Sequence, residues 1–359
     1  MTERPDLTTD TTGTTGIADT SGIAEATDIA DTSGIAEATD IADTSGIAEA
    51  TDIADPGRAA SRLPLLGKTA LVTGVSRRRG IGFAVAARFA ALGADVFIQH
   101  FAPHDAEQPW GADDLDGVRA GIRAAVGSPE SRFGDVSLDL SLPDSPSRLI
   151  DAASALTGRV DILVCNHAKS GGDGSIIDMT PERLDAHWQV NARSTLLLTS
   201  AFAKAFIGTR SDDSPTTPGL SEVPLAPGQP ATATEPFDEH RTGRVFWMTS
   251  GQQDGPMPGE VAYATSKAAL AGITPTVAKE LLGFGIVLNT INPGPVNTGY
   301  LDPETTDRPL DDLLAFIQTT PFGRFGTPDD VARLIGWLAT DEGRWIVGRV
   351  IASDGGWNL

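Results

Sequence analysis

The stretch TALVTGVSRRRGIGFAVAARFAALGADVFIQ, residues 69–99, sets an apolar run against an amphipathic one, with Gly74, Gly80 and Gly82 between them. Its β-branched start, the helical period over 81–92, the stop at Gly93 and the second apolar run DVFIQ read as one β-α-β unit. A glycine-rich turn between a strand and a helix lets backbone N–H groups approach a pyrophosphate, whose charge the helix N-terminus also stabilises. Glycine loops also make plain tight turns, and the six positions from Gly74 to Gly80 do not fit the usual dinucleotide spacings.

Outward from this unit the same rhythm continues, with strands at DVSLDL, DILVCNHA, RVFWMTS, IVLNTINPG and RVIASDGG separated by helical stretches. Alternation of this kind predicts an α/β fold: a doubly wound, seven-stranded parallel sheet of the Rossmann type, forming one domain over 61–359. Such a sheet binds ligands beyond the carboxyl ends of its strands, so function is expected just after each strand. Two segments interrupt the rhythm. The stretch 101–111 follows the second strand beside the expected adenosine site and reads as a surface loop, with a role in cofactor choice as the alternative. The Pro-, Thr- and Asp-rich stretch 209–242 reads as a disordered insertion, away from the ligand crevice and catalytically silent.

The N-terminal part is different in kind. Residues 1–56 hold thirteen Asp or Glu and one basic residue, Arg4, so they contribute −12 of the formal net charge of −21 of this 359-residue chain. SGIAEATDIADT begins at Ser21 and again at Ser33, and a third copy from Ser45 ends in Pro56. Each copy offers two Ile and no aromatic residue, too little apolar surface for a solenoid, so 1–60 is expected to be a disordered acidic tail. It serves either solubility or partner binding. The acidity excludes nucleic acid as a partner, because phosphate binding needs a basic face. With no basic-flanked apolar leader and no run of about 18 apolar residues, no membrane association is expected and the cytoplasm is the expected compartment. Cys165 is alone and the five His show no ligand spacing, so neither a disulfide nor a metal site is expected.

Arg77, Arg78 and Arg79 fill the long glycine loop. A guanidinium near the adenosine ribose would recognise a 2′-phosphate through paired hydrogen bonds, whereas a solvated basic turn explains the same residues. Where an acid would hold a ribose 2′-hydroxyl at the end of the second strand, the chain has Gln99 and His100. The two features favour NADP as cofactor and leave NAD open.

YATSK opens a helical run, which puts Tyr263 and Lys267 on one face. An ammonium one turn away favours the phenolate and brings a tyrosine towards useful acid-base range. Ser250 ends the RVFWMTS run, and Asn191 lies in the helix after DILVCNHA. Together with the glycine loop, the set Asn191, Ser250, Tyr263 and Lys267 resembles the catalytic tetrad of the short-chain dehydrogenase/reductases in their Tyr-x-x-x-Lys branch. The resemblance runs over 66–359 and includes Asp139-Leu140, INPGPVNTG, RFGTPDDVA and the C-terminal DGG.

By that resemblance, Gly74, Ser76, Arg77, Gly80, Ile81 and Gly82 would cradle the dinucleotide. Asp139 and Leu140 would border the adenine, and Asn166 and Ala168 would flank the cofactor. Pro293, Gly294, Val296 and Thr298 would line the nicotinamide, and Tyr263 and Lys267 would touch the cofactor as well. Ser250 would donate a hydrogen bond to the substrate carbonyl and Tyr263 a proton to the alkoxide. Lys267 would bind ribose hydroxyls, and Asn191 would hold a proton-relaying water.

The chain departs from the family in its loop length, in Cys165-Asn166-His167-Ala168 where the family reads N-N-A-G, and in Pro275, which is expected to kink the Tyr263 helix. The longer loop occurs in the enoyl-reductase branch, but that branch has six residues between Tyr and Lys, so the spacing favours carbonyl chemistry. The resemblance is nearest to 3-oxoacyl thioester reductases, with a small carbonyl or alcohol substrate walled by GQQDGPMPGE, where Gln252 and Gln253 could hold it, and by the segment after Thr298. It also implies a homotetramer or homodimer, and STLLLTSAFAKAFI offers an apolar face that core burial explains equally. His167, His187 and Cys165 read as structural. A non-catalytic NADP-binding sensor or scaffold is the alternative function.

Overall fold

The computed structural model describes residues 63–213, 241–306, 309–357 and 359, with only the backbone of 210–213. The acidic tail and positions 214–240 of the expected insertion lie outside the described residues. In chain order the elements are β1 (Thr69–Val72), α1 (Ile81–Ala91), β2 (Asp95–His100), α2 (Ala102–Ala106), α3 (Leu115–Ala124), β3 (Phe133–Ser137), α4 (Ser145–Thr157) and β4 (Ile162–Cys165). There follow α5 (Pro181–His187), a π-helical turn (Trp188–Arg193), α6 (Ser194–Asp213), β5 (Gly243–Met248), α7 (Val261–Leu282), β6 (Ile286–Asn292), α8 (Asp311–Ile317), α9 (Pro328–Ala339) and β7 (Val350–Ala352).

The strands form one parallel sheet in the order β3-β2-β1-β4-β5-β6-β7, with Val72 beside Ile98 on one side and Val164 on the other. The winding reverses between β1 and β4, and a crevice opens there beyond the strand ends. Each predicted strand is present. β3 runs from Phe133 to Ser137, earlier than its apolar run suggests, and leaves Asp139 and Leu140 beyond its end.

Burial on both faces explains why the strands read as continuous apolar runs. Successive side chains point to opposite faces. Ala70, Val72, Val164 and Phe246 pack with Val85, Phe89, Ile122 and Ile335 of α1, α3 and α9, while Leu71, Leu163, Val245 and Trp247 pack with Leu149, Phe202 and Leu270 of α4, α6 and α7. The buried Trp247 indole donates to Thr199 Oγ1 at 2.9 Å, which satisfies its one polar atom.

One expectation needs correction here. α6 continues to Asp213, so the insertion does not begin at 209. α7 is assigned continuously from Val261 to Leu282 and includes Pro275, which stands beyond Lys267, next to Gly348. The apolar pattern of STLLLTSAFAKAFI is mainly core, since Leu198, Phe202, Phe206 and Ile207 are buried and Leu197 is exposed. Among the described residues no helix is long and apolar enough to cross a membrane.

Candidate active site

The ends of β1 and β4 are locked together. Thr73 Oγ1 accepts from the backbone N–H groups of Asn166 at 3.0 Å and His167 at 3.3 Å, and the Asn166 carboxamide donates to the carbonyls of Thr73 and Gly74. His167 Nε2 lies 2.6 Å from Ser194 Oγ, whose hydroxyl donates to Val190 O, and Nδ1 lies 2.7 Å from Thr73 Oγ1, which also bonds Val164 O at 3.1 Å. Burial lowers the His167 pKa to about 3, which keeps the ring neutral in this relay of structural bonds. A Cβ on Gly74, at φ +71°, would stand 2.7 Å from His167 Cα, and one on Gly82 would stand 2.7 Å from Asn166 Nδ2. Those two glycines are therefore required by the approach of β1 to β4 and of α1 to both.

Above this junction lies a cavity of about 1100 Å³. Gly74, Ser76, Arg77, Gly80, Ile81, Asp139, Leu140, Asn166 and Ala168 line one part of it. Ser250, Tyr263, Lys267, Pro293, Gly294, Val296 and Thr298 line the other. Gly82 lies below the surface in the packing role just described. A volume of this size suits a dinucleotide with room beside it for a small substrate, and the glycine loop presents its backbone at the N-terminus of α1.

The long glycine loop has a structural use that its sequence did not disclose. Arg77 donates to Thr298 O at 2.6 Å and lies over the Trp110 ring, whose edge faces Tyr300. Arg78 forms a paired ion bridge with Asp113 at 2.9 and 2.6 Å, and Arg79 pairs with Asp302 at 2.7 Å. The three guanidiniums thus tie the loop to the segments after β2 and after β6. Gln99, placed at the strand end where an acid was sought, accepts from Gly74 N–H at 2.9 Å and donates to Leu138 O at 2.7 Å.

The stretch 101–111 is more than a surface loop. It contains α2, and Phe101, His104, Asp105, Glu107 and Trp110 line the cavity. The Asp105 carboxyl is pushed up by burial, against a hydrogen bond from Ser76 and the charge of Arg77. The two aromatics and the short-range clustering of charge in FAPHDAEQPWG were the available signal.

Tyr263 and Lys267 stand on α7, with the Lys267 ammonium 5.6 Å from the phenol ring centre. Lys267 is buried, donates to Met248 O at 2.9 Å, and has its pKa pulled down to about 8 by burial. Ser250 follows β5 in an extended conformation, and the preceding Thr249 bonds Lys267 O at 3.0 Å, which ties the serine strand to the lysine turn. Asn191 sits in the π-helical turn, a common device at functional sites. It is fully buried and outside the cavity lining; its carboxamide holds Lys169 N–H at 2.6 Å, Lys169 O at 3.2 Å and Ser266 Oγ at 3.0 Å. Those bonds go to the 169–173 loop and the α7 helix, not to Lys267.

Gln252 and Gln253 do not reach the cavity wall: Gln252 donates to Thr249 Oγ1 at 3.0 Å, and Met257, Pro258, Gly259 and Glu260 form that wall instead. Lys169, Asp173 and Gln189 also line it, residues that no motif had marked. Cys165 is buried with its thiol pushed up by burial, and among the described residues no group of His, Cys, Asp and Glu could hold a metal.

A family model described as enoyl-(acyl carrier protein) reductase matches residues 74–211 and 230–358. An uncharacterized oxidoreductase, YjdA, of Bacillus subtilis is 32% identical over 80% of this chain and 96% of its own length. The chloroplastic NADPH-dependent aldehyde reductase-like protein of Arabidopsis thaliana is 31% identical over 82% of this chain and 96% of its own. Among solved structures, a 3-oxoacyl (acyl-carrier-protein) reductase of Agrobacterium tumefaciens with NADP bound superposes with a TM-score of 0.64 at 25% identity, covering 84% of this chain and 99% of that one. A parallel sheet reversing at β1 and β4, a glycine turn beneath the cavity and relatives matched along nearly their whole length agree: the chain belongs to the short-chain dehydrogenase/reductase family, oxidoreductases that act on alcohol and carbonyl groups with a nicotinamide cofactor.

Proposed function

We propose that the protein is an NADPH-dependent carbonyl reductase of the 3-oxoacyl type. The observation that carries this reading is the convergence of Ser250, Tyr263 and Lys267 on one cavity whose other half is the glycine loop. That convergence also favours turnover over a sensor or scaffold. The three residues between Tyr263 and Lys267 support carbonyl rather than enoyl chemistry, and the Agrobacterium structure supports the 3-oxoacyl class.

The nicotinamide, when bound, supplies hydride to the carbonyl carbon or accepts it from the alcohol. Ser250 donates a hydrogen bond to the substrate oxygen and so favours the charge that develops there. Tyr263 gives its phenolic proton to the forming alkoxide, and in oxidation takes it back. Lys267, while charged, lowers the cost of the phenolate beside it and offers its remaining N–H bonds to ribose hydroxyls. Asn191 acts through the backbone of Lys169 and through Ser266, holding the walls of the site. Gly74, Ser76, Gly80 and Ile81 hold the pyrophosphate side, Asp139, Leu140, Asn166 and Ala168 the adenosine side, and Pro293, Gly294, Val296 and Thr298 the nicotinamide side.

NADP is supported by Gln99 and His100 at the end of β2 and by the cofactor named for the Arabidopsis and Agrobacterium proteins. Arg77, bonded to Thr298 O, closes the loop over either cofactor in this reading and does not read a 2′-phosphate. Asp105 beside Ser76 favours a second reading, NAD, because a carboxylate there suits a ribose hydroxyl and repels a phosphate.

Tyr263→Phe is expected to lose turnover by at least about 100-fold while retaining cofactor affinity; a variant within a few-fold of wild type would remove Tyr263 from the proton step. Calorimetric titration is expected to show NADPH binding more tightly than NADH, with Arg77→Ala weakening both alike. Selective loss of NADPH in that variant would return the phosphate to Arg77, and tighter binding of NADH would give the choice to Asp105.

Lys267 yields a stability test. Its folded pKa of about 8 lies below the unfolded value of 10.5, so the buried ammonium destabilises the cofactor-free protein below pH 8, by about 3 kcal/mol at full extent. That cost fades as pH rises from about 8 to 10.5. Lys267→Met should therefore be the more stable protein in urea at pH 7 and lose its advantage by pH 10.5. An advantage that does not change with pH would contradict the buried charge.

A further inference from the structure

The first N–H groups of a helix have no acceptor within it, and Tyr263 stands third in α7. The residue before that helix, Glu260, makes no capping bond through its side chain. Asp173, from the loop after β4, fills the role from a distance: its Oδ2 accepts from Tyr263 N–H at 2.7 Å, and its Oδ1 accepts from Ala262 N–H at 3.0 Å and Gly174 N–H at 2.8 Å. The carboxylate is buried at the cavity wall, with His187 Nε2 3.9 Å from Oδ2. The Tyr263 carbonyl is held as well, by Ser266 Oγ at 2.7 Å, and Ser266 in turn receives the Asn191 carboxamide.

These bonds close a ring. Asn191 fixes Lys169 at one end of the 169–173 loop, Asp173 fixes Tyr263 from the other end, and Ser266 returns to Asn191. We propose that Asp173 is a positioning residue for Tyr263, setting the first turn of α7 against the substrate-side loop so that the phenol keeps its place beside Lys267. This rests on the reading of Tyr263 as the proton donor. A carboxylate is suited to the task because it accepts from several amides at once and is stabilised at a helix N-terminus.

Asp173→Ala removes both carboxylate oxygens, whereas an Asn there could still turn its one amide oxygen to the Tyr263 N–H. The expected result is a fall in kcat of about 10- to 100-fold with KM for the cofactor nearly unchanged, since displacement of a reacting group by about an ångström has that effect. The Tyr263 amide, protected from hydrogen exchange in the wild type, should exchange faster in the variant. Wild-type kcat in Asp173→Ala, or an amide that exchanges in the wild type as an open one, would overturn the proposal. The wild-type exchange rate needs no variant and decides the contact even if Asp173→Ala fails to fold. Full turnover by Tyr263→Phe would remove the proton-donor reading, and with it a catalytic purpose for Asp173, while leaving the exchange result to judge the contact.

Discussion

The hydroxyl of Thr73, accepting from the two backbone amides that follow β4, is the contact on which the rest of the structure depends. It joins the two strands at which the sheet reverses its winding, and the cavity opens directly above it. With β1 and β4 fixed at that distance, Gly74 and Gly82 follow as steric necessities, because a methyl group at either position would overlap the facing backbone or the Asn166 amide. The same junction orients His167 towards Ser194 and so anchors the start of α6 against the sheet. A neutral imidazole with both nitrogens satisfied adds no charge next to the buried Lys267.

The second organising constraint is the burial of an ammonium group without a carboxylate partner among the described residues. Lys267 is held by a backbone carbonyl of β5, and the desolvation that lowers its pKa is a standing cost to the fold. Sites that keep such a group give up stability for chemistry. Here the strain is contained by a shell of backbone-directed bonds from Asn191, Asp173, Ser266 and Thr249, which fix the positions of Tyr263 and Lys267 without touching their reactive atoms.

Much of the fold was legible in the sequence because parallel strands buried on both faces leave continuous apolar runs, and TALVTG, DILVCNHA and RVFWMTS are such runs. The pairing of Tyr263 with Lys267 was equally legible, since the two are one turn apart on one helix. What could not be read was anything created by distant loops meeting. Arg77, Arg78 and Arg79 looked like a phosphate-binding cluster, yet their partners Thr298, Asp113 and Asp302 lie tens or hundreds of positions away. Asp173 and Lys169 matched no motif because their task is addressed to backbone amides and carbonyls, which any sequence supplies.

In the proposed reaction a carbonyl carbon in this cavity receives hydride while Tyr263, at the cavity wall, donates a proton to its oxygen. The most direct test supplies the purified protein with NADPH deuterated at the transferable position and a 3-oxoacyl thioester, and examines the product by mass spectrometry. The expected result is a 3-hydroxy product carrying one deuterium on the carbinol carbon. Cofactor that binds but transfers no deuterium to this or any other carbonyl compound offered would contradict it.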